Sequence, residues 1–413
     1  MRETLVLGAG MVGVSTALAL QERGFNVALI DRREPGNETS HGNGGMIQCE
    51  AAEPYAFPRK MSTMLSVAFG SSKDVNFHWT ALPAHVRPLA SYFFHSAPIR
   101  HARIAATYSK LTGHATDDHS VWIQAANAGH LIQKDGYHVA FRSAQRLGEA
   151  LAFAERIERT YGVRQRSLSS AELAKAEPGL TVPLAGAVQW LDPWSCRDPA
   201  KLVAAYADLF VKRGGALLTA DASTLTKTDA GWRLVTTDGS VEAEHVVVAL
   251  GPWSPDLLSR WGYKVPMLRK RGYHHHFEVS DGPRIPFFDA ENGAFCTPMN
   301  KGLRICAGAE IAQHDARPTP VQLNRAVEAV RQLFILGSQI DEKPWVGNRP
   351  CMPDMLPVVG PAPAHEKLWF HFGHGHQGFT MGPTTARLLA NQMHGSNVDP
   401  SLMEALSFRR YLH

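Results

Sequence analysis

The chain opens with short apolar runs separated by glycines and polar residues, and the spacing of those runs predicts alternating strands and helices. Residues 4–7 form a compact apolar run of the kind found in a buried parallel strand. Beyond Gly13 the apolar residues take helical spacing. This predicts a helix with Val14, Ala17 and Leu18 on one face, Gln21 and Glu22 in water, and a stop at Gly24. Residues 26–30 predict the second strand, with Asp31 at its end. A polar, turn-rich stretch over 32–58 reads as an ordered loop. Residues from about 60 to 156 read as mostly helical, most clearly at "QRLGEALAFAERIERTYG".

After Asp198 the pattern returns to helix, Gly-Gly stop and strand. A hairpin turning at Asp238-Gly239 then leads into a buried strand ending "VVVALGPWS". "RGYHHHFEV" and "KGLRICAGAE" read as strands of a second sheet, and "NRAVEAVRQLFI" as a helix. The C-terminal "HFGHGHQGFTMGPTTARLLANQM" reads as a glycine-rich loop opening a helix.

Composition narrows the function classes. At 413 residues and 44% hydrophobic, the chain can easily bury a core, and its length suggests two domains or one domain carrying a large insertion. A net charge of +4 spread over that length gives no basic tract for nucleic acid. Five scattered cysteines without a C-x-x-C fit reduced thiols in a cytoplasmic setting, and supply no iron–sulfur or c-type haem spacing. No signal peptide is expected, and no apolar run reaches the 18 residues of a membrane span.

Gly8, Gly10 and Gly13 form G-x-G-x-x-G between strand and helix, with Asp31 roughly 20 residues on. In that order the glycines admit a tight turn, a close pyrophosphate and close helix packing, and the carboxylate meets a ribose hydroxyl. Dinucleotide binding is therefore the expected use of the N-terminus. "ETSHGNGG" puts small and amide residues where backbone at Gly44, Gly45 and Met46 can run along a flat ring. Gly251 ends a strand where backbone can pass a phosphate, and the helix start at Gly378, Phe379 and Thr380 suits developing negative charge. Arg349, in the proline-stiffened "GNRPCMPDMLPVVGP", is the candidate anchor for a substrate carboxylate, because its fork holds two oxygens. Tyr273 is a candidate pocket residue. His371, His374 and His376 lack a second ligand cluster, and His274 and His276 face away from His275 on a strand, so no metal site is expected.

Taken in order, "GAGMVG…D", "TS…NGG", Asp198-Pro199, "ALGPWS", "RGY", "LRICAGAE", "GNRPCMPDMLPVVGP" and "GHGHQGFTMGP" resemble the FAD-dependent D-amino acid oxidase superfamily over nearly the whole chain. They are most similar to its bacterial D-amino acid dehydrogenase (small subunit) branch. The resemblance implies an α/β protein. Residues 1–58, 192–256 and 345–413 would form a discontinuous Rossmann-type FAD-binding domain. Residues 59–191 and 257–344 would form an α+β substrate domain on an antiparallel sheet. It implies FAD held by Gly8, Gly10, Met11, Val12, Gly13, Asp31, Arg32, Ser40, Asn43, Gly44, Gly45, Met46, Ala222, Gly251, Gly378, Phe379 and Thr380. Arg349 would bind the substrate carboxylate, with Tyr273 beside it. The implied reaction is oxidative deamination of a D-amino acid: hydride passes from Cα to flavin N5, and the imine hydrolyses to a 2-oxo acid and ammonia. Electrons would pass to an external acceptor, a quinone or a partner subunit. Related oxidases carry an oxygen-activating lysine near the place of Arg304, and an arginine there favours a dehydrogenase. The other readings are a glycine- or sarcosine-type oxidase, a D-hydroxyproline or opine dehydrogenase subunit, and a non-catalytic FAD-binding partner subunit. A respiratory acceptor implies peripheral contact with the inner face of the bacterial inner membrane; the aromatic and basic segment 85–111 reads first as a buried helical face with solvated charges, and second as the surface for that contact.

Overall fold

The computed structural model describes residues 2–412 except 69, 71, 73, 74, 314 and 315. Its first sheet has a parallel centre, in which Arg2–Leu7 lies between Val27–Asp31 and Gly239–Val248. Ala216–Thr219 extends it on one side and Leu368–Phe372 on the other. Side chains of Arg2–Leu7 alternate across the sheet. Val6 joins one core with Val14, Leu18 and Leu29, while Leu5 and Leu7 join another with Ile30, Trp232 and Phe370. Burial on both faces explains why the strand reads as a continuous apolar run.

The helix Met11–Gln21 is buried on nearly every side, because it lies between the sheet, Pro199–Lys212 and Gly378–His394. Its wet edge is narrow: Gln21 is half-buried and Glu22 exposed, and both are tied to neighbouring elements. The Gln21 amide donates to the carbonyls of Phe210 and Arg213, and the exposed Glu22 accepts from Trp122 Nε1 at 2.7 Å. Histidines tie these elements together. His371 bridges Thr16 (2.7 Å) and Thr385 (2.8 Å), and His374 also meets Thr385.

The second sheet is mostly antiparallel and is organised by the long strand Leu268–Val279. That strand pairs with Gly302–Ile311 along one edge and with Trp345–Cys351 and Leu336–Gln339 along the other. Two strands within the stretch read as mostly helical, Val75–Phe77 and Tyr137–Phe141, also join it. The helices at 98–125 pack instead on the core of the first sheet, through Ile104, Tyr108 and Trp122. The strand Trp345–Cys351, expected with the nucleotide-binding part, belongs to the second sheet. Its proline is tolerated because the strand lies at an edge. Mixed α/β architecture with a Rossmann-type centre follows from these pairings.

Candidate active site

A cavity of about 1210 Å³ runs between the two sheets. This exceeds the several hundred Å³ of a pocket for a drug-sized ligand and suits a dinucleotide with room beside it. One end is walled by Gly8, Gly10, Met11, Val12, Asp31, Arg32, Ala222 and Gly251. Gly8 turns with φ +106°, and a Cβ there would lie 2.5 Å from the Ala249 carbonyl oxygen. Gly13 does not line the cavity; a Cβ on it would sit 1.7 Å from the Gly8 oxygen. Its absence lets the helix start directly behind the turn. The helix has no side-chain cap and no acidic residue in its first turn, so its N-terminal N–H groups suit a pyrophosphate.

Asp31 ends its strand at the cavity, where Oδ2 accepts from Ala9 N at 2.6 Å and Oδ1 from Arg33 N at 3.1 Å. Each oxygen keeps a second lone pair for a ribose hydroxyl. Arg32 pairs with Glu38 and stacks over Trp253, forming the rim.

The loop 38–46 forms the middle of the wall. Ser40 Oγ accepts from Met11 N (3.0 Å), tying loop to helix. Asn43 Oδ1 accepts from Gly45 N and Met46 N, so those two donors are already used. Asn43, Gly44 and Met46 line the cavity; Gly45 does not, its carbonyl being turned to Cys196 N. Arg304 is also outside the lining. Its guanidinium is spent on His276 and on the carbonyls of His41 and Asn43, where it clamps the loop to the second sheet.

Gly378 and Phe379 reach the cavity at the start of their helix, whereas Thr380 is turned away. Thr380 accepts from Gln48 N and donates to Met46 O, joining helix and loop. Next to it, Gln377 donates to Gln48, and Gln48 donates to buried Glu50 at 2.7 Å. Burial pushes the Glu50 carboxyl up to about 7, against the hydrogen bond from Gln48. The folded state thus keeps this proton to higher pH than the unfolded chain. Stability from this group is full below the ordinary value of 4.5 and is lost as pH rises towards about 7. Glu50→Gln should flatten that part of the profile and raise stability near pH 8 by up to about 3 kcal/mol. Thermal unfolding across this range checks it, and identical pH profiles in the two proteins would refute it.

The opposite end of the cavity holds Arg349, Lys270, Tyr55, Tyr92 and His376. Arg349 Nη1 donates to Gly308 O at 2.8 Å, and its guanidinium lies flat on Gly272, where a Cβ would come within 2.6 Å of Nη2. Tyr273 touches the wall, but its hydroxyl donates to buried Glu310 and accepts from Thr319 N. Strand alternation packs its ring against the core beneath the second sheet, with Leu303 and Ile305, while the residue keeps a place in the cavity wall. Lys270 and His376 are the residues that sequence reading missed. Parity along "RKRGY" was the available signal, since Lys270 and Gly272 share a face. The His376 Nε2 is buried without a partner, and burial, then Arg349 and Lys270, push the ring down to about 3. Among the described residues, no group of three or more metal-ligating side chains occurs.

The comparisons with known proteins agree with this geometry. The family model for FAD dependent oxidoreductases (DAO) matches residues 3–392. The chain is 30% identical over 407 residues to the D-amino-acid oxidase of Bradyrhizobium diazoefficiens, with 95% of each chain covered. It is 30% identical over 412 residues to the D-amino acid dehydrogenase of Paramagnetospirillum magneticum, again with 95% of each covered. The glycine oxidase structure from Bacillus cereus superposes with a TM-score of 0.72 at 18% identity, covering 100% of both chains, which speaks for the fold. A glycine cradle that tolerates no Cβ, an acidic strand end and a dinucleotide-sized cavity are what FAD requires, and the chain belongs to the family of FAD-dependent oxidoreductases.

Proposed function

We propose that the protein oxidises D-amino acids to imines, which hydrolyse to 2-oxo acids and ammonia, and passes the electrons to an external acceptor. The observation that carries this reading is Arg349, a guanidinium facing the far end of the FAD cavity with no carboxylate partner among the described residues. Its fork suits an α-carboxylate. The relatives named as D-amino-acid oxidase and dehydrogenase support the D configuration. When bound, FAD supplies the two-electron acceptor for the hydrogen leaving Cα.

The chain's own residues do the positioning. Arg349 grips the carboxylate and so fixes the direction of the Cα–H bond, which near-attack geometry demands. His376 lines this end and stays neutral, its ring pushed down to about 3 by burial and the neighbouring cations. Tyr55 and Tyr92 narrow this end, with the Tyr92 hydroxyl donating to the Tyr55 carbonyl.

The cavity also has an apolar flank of Met64, Val67, Leu82 and Leu89, which supports a lipophilic acceptor such as a quinone. Exposed Leu82, Val86, Phe94 and Ile99 lie near Arg87, Arg100 and Arg103, a combination that supports peripheral contact with an anionic membrane. Among the described residues no helix is long and apolar enough to cross one.

Anaerobic mixing of the yellow protein with D- and L-amino acids tests the reaction. Bleaching of the flavin by D-isomers alone is expected, followed by reoxidation on adding a short-chain quinone. Bleaching by L-isomers, or by neither, would overturn the reading. Pelleting with anionic vesicles tests the membrane contact, and protein left in the supernatant at low salt would refute it.

A further inference from the structure

The charges lining the cavity are segregated. Its carboxylates, Asp31, Glu38, Asp221 and Asp256, all lie in the segments that wall the nucleotide end. The far end carries two long cations. Lys270 and Arg349 stand directly opposite each other in the antiparallel pairing of Leu268–Val279 with Trp345–Cys351, so their side chains leave the same face of the sheet. The Lys270 ammonium lies 4.2 Å from the centre of the Tyr92 ring. Among the described residues neither cation forms an ion pair with a carboxylate of the chain. Burial, partly offset by the Cys351 thiol, lowers the lysine's affinity for its proton, and Arg349 lowers it further. Two neighbouring cations facing one partly dry space, with only the Tyr92 ring against Lys270 and the Gly308 carbonyl against Arg349, call for two anionic groups on the ligand.

We propose that Lys270 is a specificity residue that binds a second carboxylate, so that the site takes dicarboxylic amino acids. Arg349 holds the α-carboxylate and Lys270 the carboxylate at the other end of the substrate. This extends the D-amino acid reading and rests on it for the identity of the amine, but the paired-cation site is testable without turnover.

Titration of the FAD-loaded protein with unreactive acids, followed by the shift of the flavin spectrum, is the first arm. Glutarate is expected to bind at least about tenfold more tightly than butyrate, the equivalent of roughly 1.4 kcal/mol. Lys270→Met should abolish that preference and Lys270→Arg should retain it. Equal binding of the two acids, or a glutarate preference that survives in Lys270→Met, would overturn the proposal. If Lys270→Met does not load FAD, Lys270→Gln takes its place, with the same two outcomes. The second arm compares anaerobic bleaching by D-glutamate, D-norvaline and N-carboxymethylglycine. Faster bleaching by D-glutamate supports a second carboxylate on the side chain; faster bleaching by N-carboxymethylglycine supports one on the nitrogen, and both support the paired site. A glutarate preference that depends on Lys270, without bleaching by any amino acid, would keep the paired site and remove the D-amino acid reaction.

Discussion

Arg349→Met should lower kcat/KM for the amino acid substrate by two to four decades while leaving the bound flavin in place. The basis is the loss of a charge-assisted fork in a partly desolvated site, worth about 3–5 kcal/mol when one partner of a buried charge pair is truncated. KM should rise because the carboxylate loses its anchor. kcat should fall as well, since the Cα–H direction is no longer fixed. Arg349→Lys keeps the charge and loses the planar fork, so it should recover only part of the loss. The Gly272 surface under the guanidinium would then be left uncovered, because a lysine cannot lie flat on it. Stopped-flow reduction of the flavin separates binding from chemistry, and the unchanged visible spectrum of the unmixed protein serves as the folding control. A kcat/KM within threefold of the parent would sink the assignment of Arg349 as the carboxylate anchor.

Gly13→Ala should give protein without flavin. Alanine is worth about 1 kcal/mol more than glycine in a helix interior, and on propensity alone the change would stabilise. The geometry decides otherwise. The new methyl would come within 1.7 Å of the Gly8 oxygen, and a backbone atom cannot move aside as a flexible side chain can. The helix start must lift away from the turn, removing the N–H groups from the pyrophosphate and opening the packing around Val14 and Ala17. A destabilisation of about 3 kcal/mol or more is expected, beyond the usual range for a single substitution. Absorbance of the purified protein and thermal unfolding measure the two effects. A yellow protein with unchanged Tm would refute the cradle as described.

How much of this was legible depended on whether the signal was local. Gly8, Gly10, Gly13 and Asp31 lie in one short stretch, so their arrangement could be read directly, and Ala222 and Gly251 open the turns that follow the strands Ala216–Thr219 and Gly239–Val248 of the same sheet. Within correctly read segments, side-chain direction was harder to predict. Gly45 and Thr380 flank cavity residues yet turn to Cys196 and Gln48, because neighbouring strands and the loop claim their polar groups. Tyr273 lies in the cavity wall, but its hydroxyl is taken by Glu310 and Thr319, which the strand pattern alone does not reveal. Lys270 needed the register against Trp345–Cys351, which a sequence carrying glycine and proline in that strand does not advertise. Tyr137–Phe141 is five residues long and sits within a helical stretch, too short for periodicity to separate it.

The bond between Thr16 and His371 joins residues 355 positions apart. A ribosome adding roughly 5–20 residues per second needs about 20–70 s to cover that interval. Throughout that time the apolar helix Met11–Gln21 exists without the helix Gly378–His394 that covers it. The nascent chain therefore carries an uncovered greasy segment until the helix Gly378–His394 has been made. Its yield in a cell should respond to holdase chaperones and to elongation rate more than the stability of the finished protein would suggest.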